Sequence, residues 1–255
     1  EMALYDKCEI IIKMDGDGQM DGSLIPALIY PIILGKADYA KGNRFYFLEN
    51  LESMPKIRLI GNTFLSFLTK FSSGYWNIFD PNNGFTAIHF SALKSLNFSK
   101  IERRYFFESD MLFNLYLLKA VVIDIPMQAK YEDEKSSLNI TKSIFEFGLK
   151  HLLNIIKRII YCYYLRDLSV ASIELPLGFF LFSFGTIFGI SSWIQALKTD
   201  INASAGTVML SSLPMIIGMQ LLLNFLNFDF LQIPKNSIQQ NLRSLRKIKN
   251  YNEFN

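Results

Sequence analysis

The distribution of charged side chains along the chain predicts two membrane-spanning helices. Residues 175–197 and 207–226 contain no charged side chain. A helix needs about 20 predominantly apolar residues to cross a bilayer, and helices of soluble proteins rarely stay uncharged for so long. Gly185 and Gly189 have the spacing that lets two membrane helices approach closely. We therefore predict a transmembrane hairpin over residues 175–229.

An amphipathic pattern precedes this hairpin, over residues 143–166. Apolar side chains recur there with the period of a helix, and polar ones, Lys157 and Arg158 among them, lie mostly on the other side. The pattern is typical of a helix in the membrane interface, with basic residues among the lipid headgroups. A helix packed on the preceding domain is the alternative interpretation. We assign residues 141–174 to this helix and its linker.

Basic residues flank the predicted hairpin and are scarce in its short loop, residues 198–206. The positive-inside rule then places both flanks in the cytoplasm and makes residues 230–255 a basic cytoplasmic tail. Of the 255 residues, 50% are hydrophobic and 19% are charged, below the roughly 25% charged that is usual for soluble domains. The net charge of +3 fits anionic lipid better than nucleic acid. These features indicate an integral membrane protein with no nucleic-acid partner, as in a bacterial inner membrane.

An apolar strand that ends in two aspartates is the most informative feature of residues 1–140. Asp15 and Asp17 follow the apolar residues 10–12, with glycines beside them and Gln19 after them. Such a turn can point both carboxylates at one place in space. Carboxylate and amide oxygens are the ligands that Mg²⁺ and Mn²⁺ prefer, and these ions keep substrate phosphates in their shell. The stretch therefore predicts a divalent-metal site that binds a diphosphate.

Two other interpretations of this stretch compete with the metal site. A calcium loop of the EF-hand type needs Gly at its sixth position and Glu at its twelfth, and these are Met20 and Pro26 here. The calcium loop is therefore excluded. A solvated acidic turn stays open as long as this stretch is considered alone.

Five further segments follow the aspartates in order, at residues 35–44, 80–88, 105–110, 121–127 and 131–138. Their content and order resemble the family-two glycosyltransferases of the dolichol-phosphate mannose synthase type. The resemblance spans residues 8–138 and extends into the membrane segments. It implies a partial GT-A, Rossmann-like α/β catalytic domain over residues 1–140, a nucleotide-sugar donor and a polyprenyl-phosphate acceptor.

The resemblance assigns metal-binding and catalytic roles to individual residues. Asp15, Asp17 and Gln19 would bind the metal, and Arg44, in a turn after a strand ending near Tyr39, would bind a phosphate. Asp110 would be the catalytic acidic residue on the acceptor side. A solvated turn arginine and a helix-start acid are the ordinary alternatives for Arg44 and Asp110.

The resemblance also implies a set of substrate-binding residues. Gly84 would let the backbone pass close to the sugar, and the basic residues near the interfacial helix would lie by the acceptor phosphate. The loop 131–138 would close over the sugar. His89 and His151 lack partners at ligand spacing and are assigned structural roles. The substrate-binding set is Asp17, Gly84, Phe85, Glu108, Lys157, Arg158 and Arg166.

One departure from the family concerns the start of the chain. In the family, the strand that carries the aspartates lies in the middle of the catalytic domain, after the half that binds the nucleotide base. Here it begins at residue 8, so we expect an amino-terminally truncated domain that is not a competent enzyme alone.

The function expected of the parent enzyme is inverting transfer of a sugar to an undecaprenyl-type phosphate at the cytoplasmic membrane face, for cell envelope polysaccharide. Two alternatives stay open. One is a membrane-anchored, non-catalytic binding or scaffold fragment, and the other is a glycosyltransferase with a hydroxyl acceptor. Homo-oligomerisation stays open as well.

Overall fold

The computed structural model describes residues 8–16, 18, 20–47, 56–104, 106–128 and 140–244. The chain forms two compact units, Glu1–Arg158 together with Ile233–Asn255, and Ile159–Gln232. The strands are β1 (Ile10–Lys13), β2 (Tyr39–Asn43), β3 (Thr86–His89) and β4 (Val122–Pro126). The helices are α1 (Ile25–Ile33), α2 (Lys56–Ser73), α3 (Phe90–Ser95), α4 (Phe107–Leu117), α5 (Ile140–Ile159), α6 (Val170–Thr199) and α7 (Ala205–Leu231). Short 3-10 turns lie at Gly22–Leu24 and Phe98–Lys100, and a π-helical segment at Ile160–Leu165. The fold is therefore mixed α/β and mostly helical.

The four strands form one mixed sheet in the order β1-β3-β2-β4. Strand β3 runs antiparallel to both β1 and β2, whereas β4 runs parallel to β2. In this register Thr86 of β3 lies opposite Lys13 on one side and Lys41 on the other. Residues directly opposite each other in an antiparallel pair point to the same face of the sheet. Lys13, Thr86 and Lys41 therefore form one row across the sheet.

The core of the first unit lies between the sheet and α1. Leu28 and Ile32 of α1 are fully buried against Ala40 and Ala87, whose small side chains leave room for the helix. All five residues of β2 are buried, because this strand has neighbours on both edges. Burial of these apolar groups is the main favourable contribution to folding of this unit.

The position of β2 corrects the strand that the sequence predicted to end near Tyr39. The strand begins at Tyr39 and ends at Asn43, so that Arg44 is the first residue after it. Lysine, glycine and asparagine in this stretch resemble a turn when read locally. Their partners come from distant segments, since the Asn43 side chain donates to Asp124 of β4.

The chain returns from the second unit to the first after α7. There the Ser237 hydroxyl donates to the Gly35 carbonyl at 2.6 Å, and the Ile238 amide donates to Asp38 at 2.9 Å. The Gln239 side chain donates to the backbone carbonyls of Ile32 and Ala37. This packing was not predicted from the sequence, which indicated only a tail over residues 230–255.

The second unit contains the two long apolar helices that the uncharged runs predicted. Both are long and apolar enough to cross a membrane, and only 11% of the most apolar window of each is buried. A Cβ on Gly185 would lie 2.6 Å from the Ser211 carbonyl oxygen, and the Ser211 hydroxyl donates to the Gly185 carbonyl at 3.0 Å. The close approach predicted at Gly185 is therefore confirmed. Exposed apolar surface of this extent indicates membrane association.

Candidate active site

Asp15 lies just after β1, with its carboxylate beside Gly84. A Cβ built on Gly84 would lie 2.9 Å from Cγ of Asp15 and 3.0 Å from Nζ of Lys13, and still closer to Oδ2 of Asp15. A side chain larger than glycine's would therefore displace the carboxylate. The structure brings together two residues that the sequence assigned from separate motifs.

Lys13 lies between the carboxylates of Asp15 and Glu108, which are distant from each other in sequence. Its Nζ is 2.8 Å from Oε1 of Glu108 and 3.3 Å from Oδ1 of Asp15, and it lies 5.5 Å from the centre of the Phe107 ring. Burial alone would lower the pKa of Lys13, but the hydrogen bonds and negative charges of Glu108 and Asp15 outweigh it and raise that pKa. The ammonium is therefore a positive charge held between two negative ones.

These groups line an open cavity of about 450 Å³. Its lining residues are Lys13, Asp15, Arg104 and Glu108. Glu108 lies in the first turn of α4, where the helix dipole favours an acidic side chain. Arg104 is exposed just before this helix. The cavity thus presents two cationic and two anionic side chains, which suits a ligand that carries phosphate groups together with a cation.

Asp15 fits a hard divalent cation by its chemistry and its exposure. Its side chain is 44% exposed at the cavity, and its neighbour is already a cation, the Lys13 ammonium. No group of three or more His, Cys, Asp or Glu side chains suited to a metal occurs within the described ranges. Asp17 and Gln19, the other predicted ligands, lie outside those ranges. The described part of the site therefore contributes one predicted metal ligand, Asp15.

Arg44 is held by a two-point ion pair with Asp80. Its Nε and Nη2 donate to the two Asp80 oxygens at 2.8 Å and 3.0 Å, and its backbone amide donates to Oδ2 at 3.1 Å. Asp80 itself is 2% exposed. The pair fastens the start of the 80–84 loop to the end of β2, so Arg44 has a structural role in addition to the phosphate contact predicted for it.

A buried lysine lies under the same loop. Lys41 is 1% exposed, and its Nζ donates to the Pro81 carbonyl at 2.7 Å. Burial lowers the pKa of Lys41 to about 8, although the carboxylates of Asp80 and Asp124 act in the opposite direction. Burial also raises the pKa of Asp124, which accepts a hydrogen bond from the Phe79 amide, to about 6. These two groups anchor the loop that carries Gly84.

Asp110 is buried under α5 and does not line the described cavity. Its Oδ2 accepts a hydrogen bond from the Glu102 amide at 3.0 Å, and its Oδ1 accepts one from the Asn154 side chain at 3.1 Å. Residues two apart on a helix face different directions, so Glu108 lines the cavity while Asp110 points into the domain. The geometry supports Glu108 as the acidic side chain that α4 contributes to the cavity. It supports a positioning role for Asp110 and offers no support for the catalytic role predicted for it.

Helix α5 packs on the first unit through its polar side. His151, Asn154 and Arg158 are buried at helical spacing, and His151 Nδ1 is 2.8 Å from the Ser72 hydroxyl of α2. The apolar side is exposed instead. It comprises Leu149, Leu152, Leu153 and Ile156. We predicted that the basic residues of this helix face lipid headgroups, but Arg158 is buried and the exposed side of the helix is apolar.

The basic residues predicted to bind the acceptor phosphate have different surroundings. Arg158 is 1% exposed, and its Nη2 donates to the Phe71 carbonyl at 2.9 Å, which makes it a packing residue in this structure. Lys157, the next residue, is exposed. Arg166 belongs to the second unit and is partly buried. A phosphate contact remains a prediction for Lys157 and Arg166, and it gains no support at Arg158.

Helix α2 carries a second exposed apolar stripe that the sequence analysis did not identify. Ile60, Phe64 and Phe67 are 70%, 60% and 55% exposed. They recur four and three residues apart, which is the spacing of one helix face. An apolar helix face could therefore have been predicted from the sequence of residues 56–73.

Phe85 and His89 have structural roles. Phe85, predicted to bind substrate, is 1% exposed and belongs to the core cluster of the first unit. His89 precedes α3, and its Nδ1 accepts a hydrogen bond from the Ser91 amide at 3.1 Å. The loop 131–138 predicted on the acceptor side lies outside the described residues.

Two cavity residues, Lys13 and Arg104, were not singled out from the sequence. A lysine at the end of the apolar strand β1, two residues before Asp15, was the available signal, since a charged group in an apolar strand needs a partner. Arg104 had no comparable signal, because its place in the cavity follows from the packing of α4 beside β1.

The chain is similar to curated proteins over part of its length, and no family model matches it. It is 30% identical over 125 residues to the UDP-N-acetylglucosamine–dolichyl-phosphate N-acetylglucosaminyltransferase of Methanococcus voltae, a match that covers 49% of each chain. It is 33% identical over 94 residues to an uncharacterised protein of Methanocaldococcus jannaschii, with 37% of this chain and 38% of that one covered. The chain thus spans half or less of the length of these relatives. The first similarity relates the chain to glycosyltransferases.

Proposed function

We propose that the chain is part of a membrane-attached glycosyltransferase of GT-A type that transfers a sugar from a nucleotide-sugar to a polyprenyl phosphate. One observation carries the proposal. Asp15, Gly84 and Glu108 come from three separate segments of the family pattern and meet around Lys13. A cavity on which polar groups from separate segments converge is the usual place for a ligand.

The side chains around the cavity take distinct roles in this proposal. Asp15, with Asp17 and Gln19, binds a divalent cation, which supplies positive charge against the departing diphosphate when bound. Gly84, which has no Cβ, leaves room for the Asp15 carboxylate. Glu108 and the helix start that carries it orient the acceptor side.

The acceptor chemistry explains why no general base is needed in the proposal. A polyprenyl phosphate is ionised near neutral pH, so it needs alignment more than deprotonation. Its oxygen forms the new bond to the anomeric carbon while the bond from that carbon to the diphosphate breaks, and the configuration inverts. The nucleoside diphosphate leaves with the bonding electron pair.

The name of the Methanococcus voltae relative suggests the first substrates to test. We propose UDP-N-acetylglucosamine as the first donor and dolichyl phosphate as the first acceptor. Undecaprenyl phosphate has the same reacting group and is the second acceptor.

Membrane attachment in the proposal rests on α6, α7 and the two exposed stripes of α2 and α5. The long helices would span the bilayer, and the stripes would lie in its interface. The residues before and after the second unit both belong to the first unit, so a hairpin would keep both of its ends on one side of the membrane. The basic flanks favour the cytoplasmic side. A cysteine at Ser204 should then react with an impermeant label from outside, and a cysteine at Asn241 should not. Labelling at Asn241 alone would reverse the orientation.

The activity is tested on the complete protein in detergent with radiolabelled UDP-sugars, Mn²⁺ and each polyprenyl phosphate. Label should appear in the lipid extract, and Asp15→Asn should lower the rate by roughly a hundredfold or more. Asp21→Asn is the matched control, since Asp21 is a nearby exposed N-cap and Asn caps equally well. Label on a hydroxyl acceptor only, or full turnover by Asp15→Asn, would contradict the proposal.

A further inference from the structure

Lys13 is the best-held cation of the cavity, and the proposed function leaves it without a role. Its ammonium bridges Asp15 and Glu108, and it lines the open cavity beside Arg104. We propose that Lys13 is a phosphate-binding residue, whose ammonium lies between the two carboxylates in the ligand-free protein and binds phosphate oxygens of the substrate in the cavity. This inference rests on the proposed function.

The charge balance around Lys13 provides the first argument. Two carboxylates share one ammonium within 3.3 Å, so this cluster carries a net charge of −1. A divalent cation at Asp15 would reverse that sign and repel the ammonium, because like charges a few ångströms apart repel strongly where solvent is partly excluded. The ammonium would then be attracted to the anionic group that enters with the cation, a phosphate.

The mobility of the lysine side chain provides the second argument. Lysine carries a compact charge with three donors on a flexible four-carbon stem, and the Lys13 side chain is 41% exposed. The aspartate side chain has two rotatable bonds against four in lysine, so the lysine is the partner that can turn further. A turn within the cavity needs no change of the backbone of β1.

Lys150 shows that bridging two carboxylates does not by itself create such a site. Its Nζ lies 3.1 Å from Glu102 and 3.0 Å from Glu146, and 5.6 Å from the centre of the Phe106 ring. These surroundings nearly duplicate those of Lys13. Lys150, however, is not among the described residues that line the cavity, so it serves as the matched control.

The phosphate has two sources in the proposed reaction. The donor brings a diphosphate and the acceptor brings a phosphate monoester, and both offer the same oxygens to an ammonium. Separate binding measurements with UDP and with dolichyl phosphate distinguish them.

The experiment compares wild type, Lys13→Gln, Lys13→Arg and Lys150→Gln in the complete protein, with three equilibrium measurements. The first is binding of Mn²⁺ alone, followed by electron paramagnetic resonance. Lys13→Gln should bind Mn²⁺ roughly three- to tenfold more tightly, since the competing cation is gone. The second is binding of UDP with saturating Mn²⁺, and the third is binding of dolichyl phosphate.

Lys13→Gln should weaken one of the two anions roughly tenfold or more, the size of a lost charge-assisted hydrogen bond. Lys13→Arg should restore most of that affinity, and Lys150→Gln should leave all three constants unchanged. A loss for UDP alone assigns Lys13 to the donor, and a loss for dolichyl phosphate alone assigns it to the acceptor. Melting temperatures close to that of wild type establish that the variants fold.

Two results would overturn the inference. One is weaker Mn²⁺ binding by Lys13→Gln, which would show that Lys13 only builds the metal site. The other is unchanged affinity for both anions. Failure of the proposed function is a separate outcome, since it appears as absent sugar transfer by wild type, whereas the binding constants report on Lys13 without turnover.

Discussion

Lys13 and Lys41 flank Thr86 in the same row of the sheet, yet their surroundings are opposite. Lys13 is 41% exposed by its side chain and faces an open cavity, and its carboxylate partners raise its pKa. Lys41 is 1% exposed under residues 80–84, and burial lowers its pKa to about 8. Both lysines have carboxylates nearby, so their pKa values differ because residues 80–84 cover Lys41 and leave Lys13 exposed. An uncovered lysine is available to a ligand, and a covered one holds the cover in place.

The two lysines are linked through the loop between them. Lys41 holds this loop by the Pro81 carbonyl, and the loop carries Gly84, which packs against Asp15 and Lys13. The buried lysine thus shapes the wall beside which the exposed lysine lies. Variants that separate stability from ligand binding can test this division.

The largest effect is expected for Lys41→Met. The substitution leaves the buried Pro81 carbonyl without its donor and removes a positive charge from the surroundings of Asp80 and Asp124. We expect a loss of about 3 kcal/mol in the free energy of unfolding, the upper end of the range for leaving a buried acceptor without its donor. Lys13→Met should cost less than about 1 kcal/mol, because its ion pairs are partly exposed. Equal melting temperatures for the two variants would break the comparison.

A smaller but more specific effect is expected for Gly84→Ala. The new Cβ would lie 2.9 Å from Asp15 Cγ, so the carboxylate must move. We expect sugar transfer to fall by roughly a hundredfold, the effect of misplacing a catalytic group by about 1 Å, and Mn²⁺ to bind more weakly. Gly22→Ala is the control, since a Cβ there meets no atom within 4 Å. Wild-type turnover and Mn²⁺ affinity in Gly84→Ala would remove Gly84 from the site.

The covered region should also show a characteristic pH dependence through Asp124. Burial raises its folded-state pKa from the ordinary value of 3.8 to about 6, so the folded protein binds this proton more tightly than the unfolded chain. The resulting stabilisation is fully present below about pH 4 and is lost as the pH rises through about 6. Lowering the pH from 7 to 5 should therefore stabilise wild type by about 1 kcal/mol more than Asp124→Asn. Parallel melting curves across this range would contradict the assignment.

The smallest effect is expected on α5. In this helix the charged residue is the buried one and the apolar residue is the exposed one. Leu152 is 52% exposed and Arg158 is 1% exposed. Leu152→Gln should change the free energy of unfolding in detergent by less than about 0.5 kcal/mol, whereas Arg158→Gln should cost more than about 1 kcal/mol. Thermal melts of both variants measure this. A larger cost for Leu152→Gln would show that its side chain is packed.

The site shows how far the sequence alone could be taken. The family pattern drew attention to Asp15, Gly84 and Glu108, which the structure brings together. The family pattern favoured Asp110 over Glu108 as the acidic residue of the site. The two residues lie on different sides of α4, and the elements that pack on each side decide which residue reaches the cavity. The covering groups of Asp110 come from the Glu102 backbone and from Asn154, which is 44 residues away.

The sequence by itself determined the features that depend on neighbouring residues. The uncharged runs specified α6 and α7, and the apolar residues before Asp15 specified β1, because hydrophobic length and periodicity are local properties. Tertiary structure alone decided which charged groups are covered. Lys13 meets Glu108 across 95 residues, and the Lys41 ammonium meets the Pro81 carbonyl across 40. Burial and partner charge govern whether a lysine binds a ligand or supports the fold, and they are set by such distant contacts and not by the local pattern.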